Sequence, residues 1–124
     1  MHTYVYLAVV LILLVGFGHS YLGERYVLRR IFQRCELPKL LGSVDGMRKV
    51  LRFGWHIATL AWIGLAGVLV ATVQPGAGMA NMSAVIGATF FAHFLLALVA
   101  SRGRHLSWIF FLAIALLCAV PVLW

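Results

Sequence analysis

Acidic residues are scarce in this chain of 124: Glu24, Glu36 and Asp45 are the whole set, against ten Lys and Arg. Charged residues of both signs make up 10% of the sequence and hydrophobic ones 64%. With a mean hydropathy of +1.02, that composition lies outside the range of soluble domains and excludes a fold with an ordinary water-facing surface. Cysteine is also rare. Cys35 and Cys118 stand far apart with no CxxC spacing, which leaves neither a disulfide framework nor a thiolate zinc site. No basic stretch precedes the first apolar run and no small-residue cleavage site follows it, so the run is expected to be retained as a span and not removed as a signal peptide.

What is abundant is apolar length. Residues 4–22 hold no charge and are long enough to cross a bilayer core of roughly 30 Å at about 1.5 Å per residue. Three more apolar stretches follow, at about 50–73, 81–101 and 107–123, separated by Gln74-Pro75-Gly76 and by Arg102-Gly103-Arg104. The sequence therefore predicts an all-α, polytopic membrane protein with a single membrane domain over residues 1–124. Its expected architecture is an antiparallel bundle of four transmembrane helices, and no internal repeat divides it into halves.

The net charge of +7 would suggest nucleic acid in a soluble protein, but no soluble module remains here to enter a groove. Nucleic acid is not an expected partner; the lipid bilayer is. All ten basic residues lie between Arg25 and Arg104, and eight of them between Arg25 and Arg52. Basic loops stay cytoplasmic, which predicts a bacterial inner-membrane protein with the loop at about 24–49 inside and both termini in the periplasm. The two cysteines would then face opposite sides.

Within that loop Val27, Leu28, Ile31, Phe32 and Cys35 recur at helical spacing, while Arg29, Arg30, Gln33 and Arg34 take the other side. This pattern predicts an amphipathic juxtamembrane helix lying at the interface and ending before Pro38. Arg29, Arg30 and Arg34 would meet anionic lipid headgroups, or serve only to enforce topology. The segment from Gly42 to Gly46 reads as a turn. Small residues mark the expected packing surfaces: Ala84, Ala88 and Ala92 in the third span, Gly64 and Gly67 in the second, Gly16 and Gly23 around His19 in the first.

Three histidines from three spans carry the candidate chemistry. His19, His56 and His93 stand six, four and nine residues from Arg25, Arg52 and Arg102, or roughly 9, 6 and 13 Å in from the basic rim. Arg52, His56 and Thr59 share one helical stripe, Ser20 adjoins His19, and Glu24 closes the first span. Ionisable groups at that depth are costly to leave facing lipid and are expected to find partners inside the protein.

Several chemistries fit those residue types. His19, His56, His93 and Glu24 together would suit a transition metal ion. His19 and His56 alone would suit the two axial positions of haem b, with Arg25 and Arg52 at the rim for its propionates. Trp55 and Trp62, seven residues apart, would floor such a flat cofactor or simply form a lipid-facing belt. A proton or ion pathway is the alternative, since histidine titrates near neutral pH. The structural reading stands beside these: helix-end histidines commonly bond to a backbone carbonyl, and none of the three belongs to an HxxxH or ExxH motif. His2 and His105 fall in water and are expected to have no role.

Other motifs carry less. Gly16-Phe17-Gly18 is no phosphate loop, since no strand precedes it and no GK[ST] follows. Ser20 has no intramembrane Asp to orient a base for it. The first span lacks the mid-membrane glutamate of small multidrug transporters, and the chain lacks the paired cysteines of four-helix disulfide-forming enzymes. Four short spans leave too little interior for both a packed core and a continuous path, so conduction would require an oligomer. The expectation is thus a haem- or metal-binding membrane protein, with an oligomeric channel or transporter second and an accessory subunit of a larger membrane complex third.

Overall fold

The computed structural model describes residues 3–34, 36–40, 42–104 and 106–123. Among them the chain is helical, with no strand and one isolated bridge between Leu40 and Ser43. The elements are α1 (Thr3–Leu22), a wide π-type segment (Gly23–Leu28), α2 (Arg29–Phe32), α3 (Val44–Val73), α4 (Met79–Ser101) and α5 (Ser107–Leu123). Three helical rods are long and apolar enough to cross a membrane: Thr3–Phe32, Val44–Val73 and Met79–Ser101. The fourth apolar stretch, Ser107–Val120, is shorter.

The first rod differs from expectation. No proline stands between Leu22 and Phe32, and the helix continues past Gly23 through the basic segment instead of ending and restarting along the membrane surface. One residue in excess of the α-helical repeat is absorbed in the π-type segment, where the Arg29 N–H reaches the Glu24 carbonyl five residues back. Leu28 is consequently turned inward and is 1% exposed, while Arg29 and Arg30 face out. The separate amphipathic helix expected from residue 27 onward is therefore four residues of α2 at the end of α1; Cys35 lies outside the described residues.

The second rod starts six residues earlier than expected. Leu40 and Ser43 exchange backbone hydrogen bonds of 3.0 and 3.1 Å around Gly42, whose φ of +81° suits glycine. Ser43, extended at φ −136°, then caps α3: its Oγ accepts from the Gly46 N–H at 2.9 Å, and Asp45 sits in the first turn against the helix dipole. At the end of α4, Arg102 and Gly103 take positive φ, and the Gly103 N–H closes on the Leu98 carbonyl at 3.0 Å.

Each long helix packs on its neighbour in the chain: α1 on α3, α3 on α4, α4 on α5. Among the described residues the extensive contacts run between chain neighbours and none of comparable size joins α1 to α5, so the four helices lie in an open row. Glycines set the close approaches. A Cβ on Gly64 would collide with Thr89, one on Gly67 would stand 2.8 Å from Val85 Cγ1, and one on Gly87 would stand 3.1 Å from Cys118 Cβ. The alanine ladder of α4 is not one of these surfaces: Ala84 and Ala88 are exposed, and the buried stripe is Gly87, His93 and Ala97. Cys118 is a free thiol.

Candidate functional site

The antiparallel contact of α1 with α3 juxtaposes two polar stripes at the basic end of the row. On α1 and its continuation the stripe is Gly16, Ser20, Glu24; on α3 it is Thr59, His56, Arg52. The first is spaced by four residues and the second by three and four, both spacings of one helix face, and the helices run in opposite directions, so the members meet in order.

Arg52 grips Glu24 through two contacts, Nε to Oε2 at 3.1 Å and a terminal nitrogen to Oε1 at 2.7 Å. Such a two-point pair fixes orientation as well as charge. His56 Nε2 lies 3.3 Å from Glu24 Oε2, and its Nδ1 lies 2.9 Å from Ser20 Oγ. Ser20 Oγ is 2.8 Å from Thr59 Oγ1, and Thr59, 6% exposed, donates to the Gly16 carbonyl at 3.3 Å. The result is an unbroken relay from Arg52 through Glu24, His56, Ser20 and Thr59 into the helix interface. Behind it Arg48 donates to the Phe32 carbonyl at 2.9 Å, satisfying an end of α2, and Arg52 lies over the Phe32 ring at 5.1 Å.

With Glu24 as a carboxylate, proton positions along this relay have two solutions. In one, His56 donates from Nε2 to Glu24, accepts from Ser20, and Ser20 accepts from Thr59; the Gly16 carbonyl then receives nothing from Thr59. In the other, His56 carries both ring protons and donates to Glu24 and Ser20, Ser20 donates to Thr59, and Thr59 donates to Gly16. Adding one proton at His56 thus reverses both hydroxyls, and the second arrangement uses every contact present.

The other side of the same seam is aromatic. His19 adjoins Ser20, and Trp55 adjoins His56, so each points away from the relay by roughly 100°. The His19 ring stacks on Trp55 with 4.5 Å between centroids and 2° between planes, and Trp62 leans against it at 5.0 Å. Trp55 Nε1 donates to the His19 carbonyl at 3.0 Å. Gly23 makes room for that indole, since a Cβ there would fall within the ring.

The four metal candidates are not gathered. Glu24 and His56 meet, but His19 is turned to the tryptophans. His93, buried on α4, packs between Phe90 and Phe111 and its Nδ1 bonds the Thr89 carbonyl of its own helix at 2.7 Å. Among the described residues no three of His, Cys, Asp and Glu lie close enough to hold one metal ion. Equal depth in the membrane did not mean a common centre, because each histidine's angle about its own helix axis decides which neighbour it faces. The haem arrangement draws no support from the seam either: both nitrogens of His56 are engaged, and Arg25 is turned outward, bonding Tyr21 Oη at 2.8 Å and lying over Tyr26. Arg52 is held by Glu24. His2, His105 and Trp124 lie outside the described residues.

Sequence reasoning missed the Trp55 bond to His19, the Thr59 bond to Gly16 and the use of Ser20 as a link. The signal was present as two polar stripes of matching spacing at matching depth. Compared with known proteins, the chain matches no family model, no curated protein and no solved structure.

Proposed function

We propose that this protein handles protons at the α1–α3 seam of a bacterial inner membrane, as a homo-oligomeric conductor or proton-coupled transporter. The observation that supports this reading is the relay itself: carboxylate, imidazole and two hydroxyls in continuous hydrogen-bond contact, each able to give and take a proton. By the distribution of basic residues, Glu24 and Arg52 stand on the cytoplasmic side and both termini in the periplasm. Arg29, Arg30 and Arg34 rest among anionic headgroups there. Within one chain the relay ends at the Gly16 carbonyl, and residues 7–15 beyond it on α1 are apolar. Passage across the rest of the membrane needs surfaces from another copy, for which the open row leaves both faces of α1 and α3 available.

The test is flux. Purified protein in liposomes loaded with a pH-sensitive dye, driven by a potassium diffusion potential, should pass protons faster than empty liposomes, and His56→Ala and Glu24→Gln should each abolish the difference. No flux from folded, reconstituted protein overturns the reading. A second reading, an accessory subunit of a larger membrane complex, is favoured by the open row, which exposes Leu11, Leu14, Phe110 and Leu117 by more than 60% each. It predicts no flux, and a purified chain that is monomeric in mild detergent.

A further inference from the structure

The aromatic side of the α1–α3 seam carries a shallow, open groove of about 460 Å³, within the roughly 300–1,000 Å³ range of small-molecule sites. Gly18, His19, Gly23 and Tyr26 line it from the first rod, Trp55 and Trp62 from α3. Its α1 rim is exposed, Tyr26 by 49%, so in a bilayer it opens toward lipid.

His19 is its unusual member. Its Nε2 is covered by protein atoms and out of reach of any ligand, and among the described residues no hydrogen bond reaches Nδ1, the ring nitrogen left accessible. A neutral imidazole has one donor and one acceptor, and leaving both unused in a membrane interior is costly. The rings of His19 and Trp55 lie stacked one on the other, and with Trp62 and Tyr26 they make the lining largely aromatic. No charged side chain lines the groove, which disfavours an anion. An acyl chain would fill the space and leave His19 unsatisfied. A planar ring bearing oxygen, carried on an apolar tail, answers all of these features.

We propose that this groove binds the head of a lipid-soluble quinone, with His19 donating from Nδ1 to a ring oxygen and Trp55 and Trp62 supplying aromatic lining. The proposal is independent of proton conduction by the relay. Gly18 supplies the test, because a Cβ there would meet nothing within 4 Å. Gly18 lies on the groove lining, so a bulky side chain there takes up space that a ligand would need.

The experiment titrates detergent-purified protein with a one-ring benzoquinone bearing a ten-carbon tail and reads tryptophan emission, since the groove is walled by two of the chain's four tryptophans. Expected are saturable quenching in the unaltered protein, its loss in Gly18→Phe, and about tenfold weaker binding in His19→Leu, the effect of one lost hydrogen bond. Three results would each overturn the proposal. One is linear, non-saturating quenching by the unaltered protein. Another is equal displacement of the quinone by decane-chain alcohol, which would mark an acyl-chain groove. The last is a Soret band on haem addition that Gly18→Phe abolishes, which would mark a haem site. Should Gly18→Phe fail to fold by circular dichroism, saturation in the unaltered protein and the His19→Leu shift decide the matter alone.

Discussion

The indole of Trp55 is bound to His19 twice over: it stacks on the imidazole with 4.5 Å between centroids and donates its Nε1–H to the carbonyl of the same residue at 3.0 Å. One side chain of α3 thereby fixes both the position and the rotation of α1. The polar relay on the other side of the seam depends on that fixed rotation.

Gly23 is the residue that admits the indole. Adding a Cβ places it inside the ring of Trp55, so Gly23→Ala must push the helices apart or turn the tryptophan. The expected cost is about 1–3 kcal/mol, the usual range for overpacking. Gly18→Ala, five residues earlier with open space around it, should be neutral or slightly stabilising. Thermal unfolding of the two variants in one detergent separates them; equal behaviour would mean that the close approach at Gly23 does not hold the seam.

The Arg52–Glu24 pair sits at the edge of the relay, with side chains 51% and 27% exposed. Solvent screening therefore limits its worth despite the two-point geometry, and a double-mutant cycle of Glu24→Gln and Arg52→Gln should return a coupling of about 1 kcal/mol or less. Its larger effect is on His56, which shares Glu24 Oε2 with Arg52. Nitrogen-15 spectra of labelled histidine should show the His56 ring shifts moving in Glu24→Gln, while those of His93 stay unchanged.

Much of this was legible in the residues. Long uncharged runs marked the apolar helices, and the helical spacing of Arg52, His56 and Thr59, four residues and then three, marked one side of the relay before its partner was known. The grouping of His93 with the others was not legible, because depth can be counted along a helix but rotation cannot when the helix is apolar on every side, as α4 is. The early start of α3 depended on a single serine at a turn. The open row depended on which pairs of apolar faces meet, a choice hydrophobic periodicity does not encode when lipid and helix are equally apolar.

His93 provides a clean contrast to His56. It is 6% exposed, bonded to Thr89 on its own helix and enclosed by Phe90 and Phe111, with no contact to the relay. His93→Leu should leave proton flux in liposomes unchanged and alter stability by no more than about 1–2 kcal/mol. A loss of flux equal to that of His56→Ala would place His93 on the pathway and require the helices to sit differently from the arrangement described.

The wide turn from Gly23 to Leu28 makes a prediction about chain length. Between Glu24 and Arg29 five residues do the work that four do in an α-helix, since the Arg29 N–H returns to Glu24 O. Removing one exposed residue inside the turn, Tyr26, should convert it to ordinary α-helix and leave Leu28 buried and the Phe32 carbonyl under Arg48. Removing Tyr21, also exposed but at the end of regular helix between Ser20 and Glu24, rotates one against the other by about 100° and breaks the relay. The first deletion should change unfolding stability by about 0.5 kcal/mol, as surface changes do. The second should cost more than about 2 kcal/mol, because His56 and Glu24 lose their partners together. Equal destabilisation by both would show that the extra residue is needed for its side chain and is not a spacing that the helix merely accommodates.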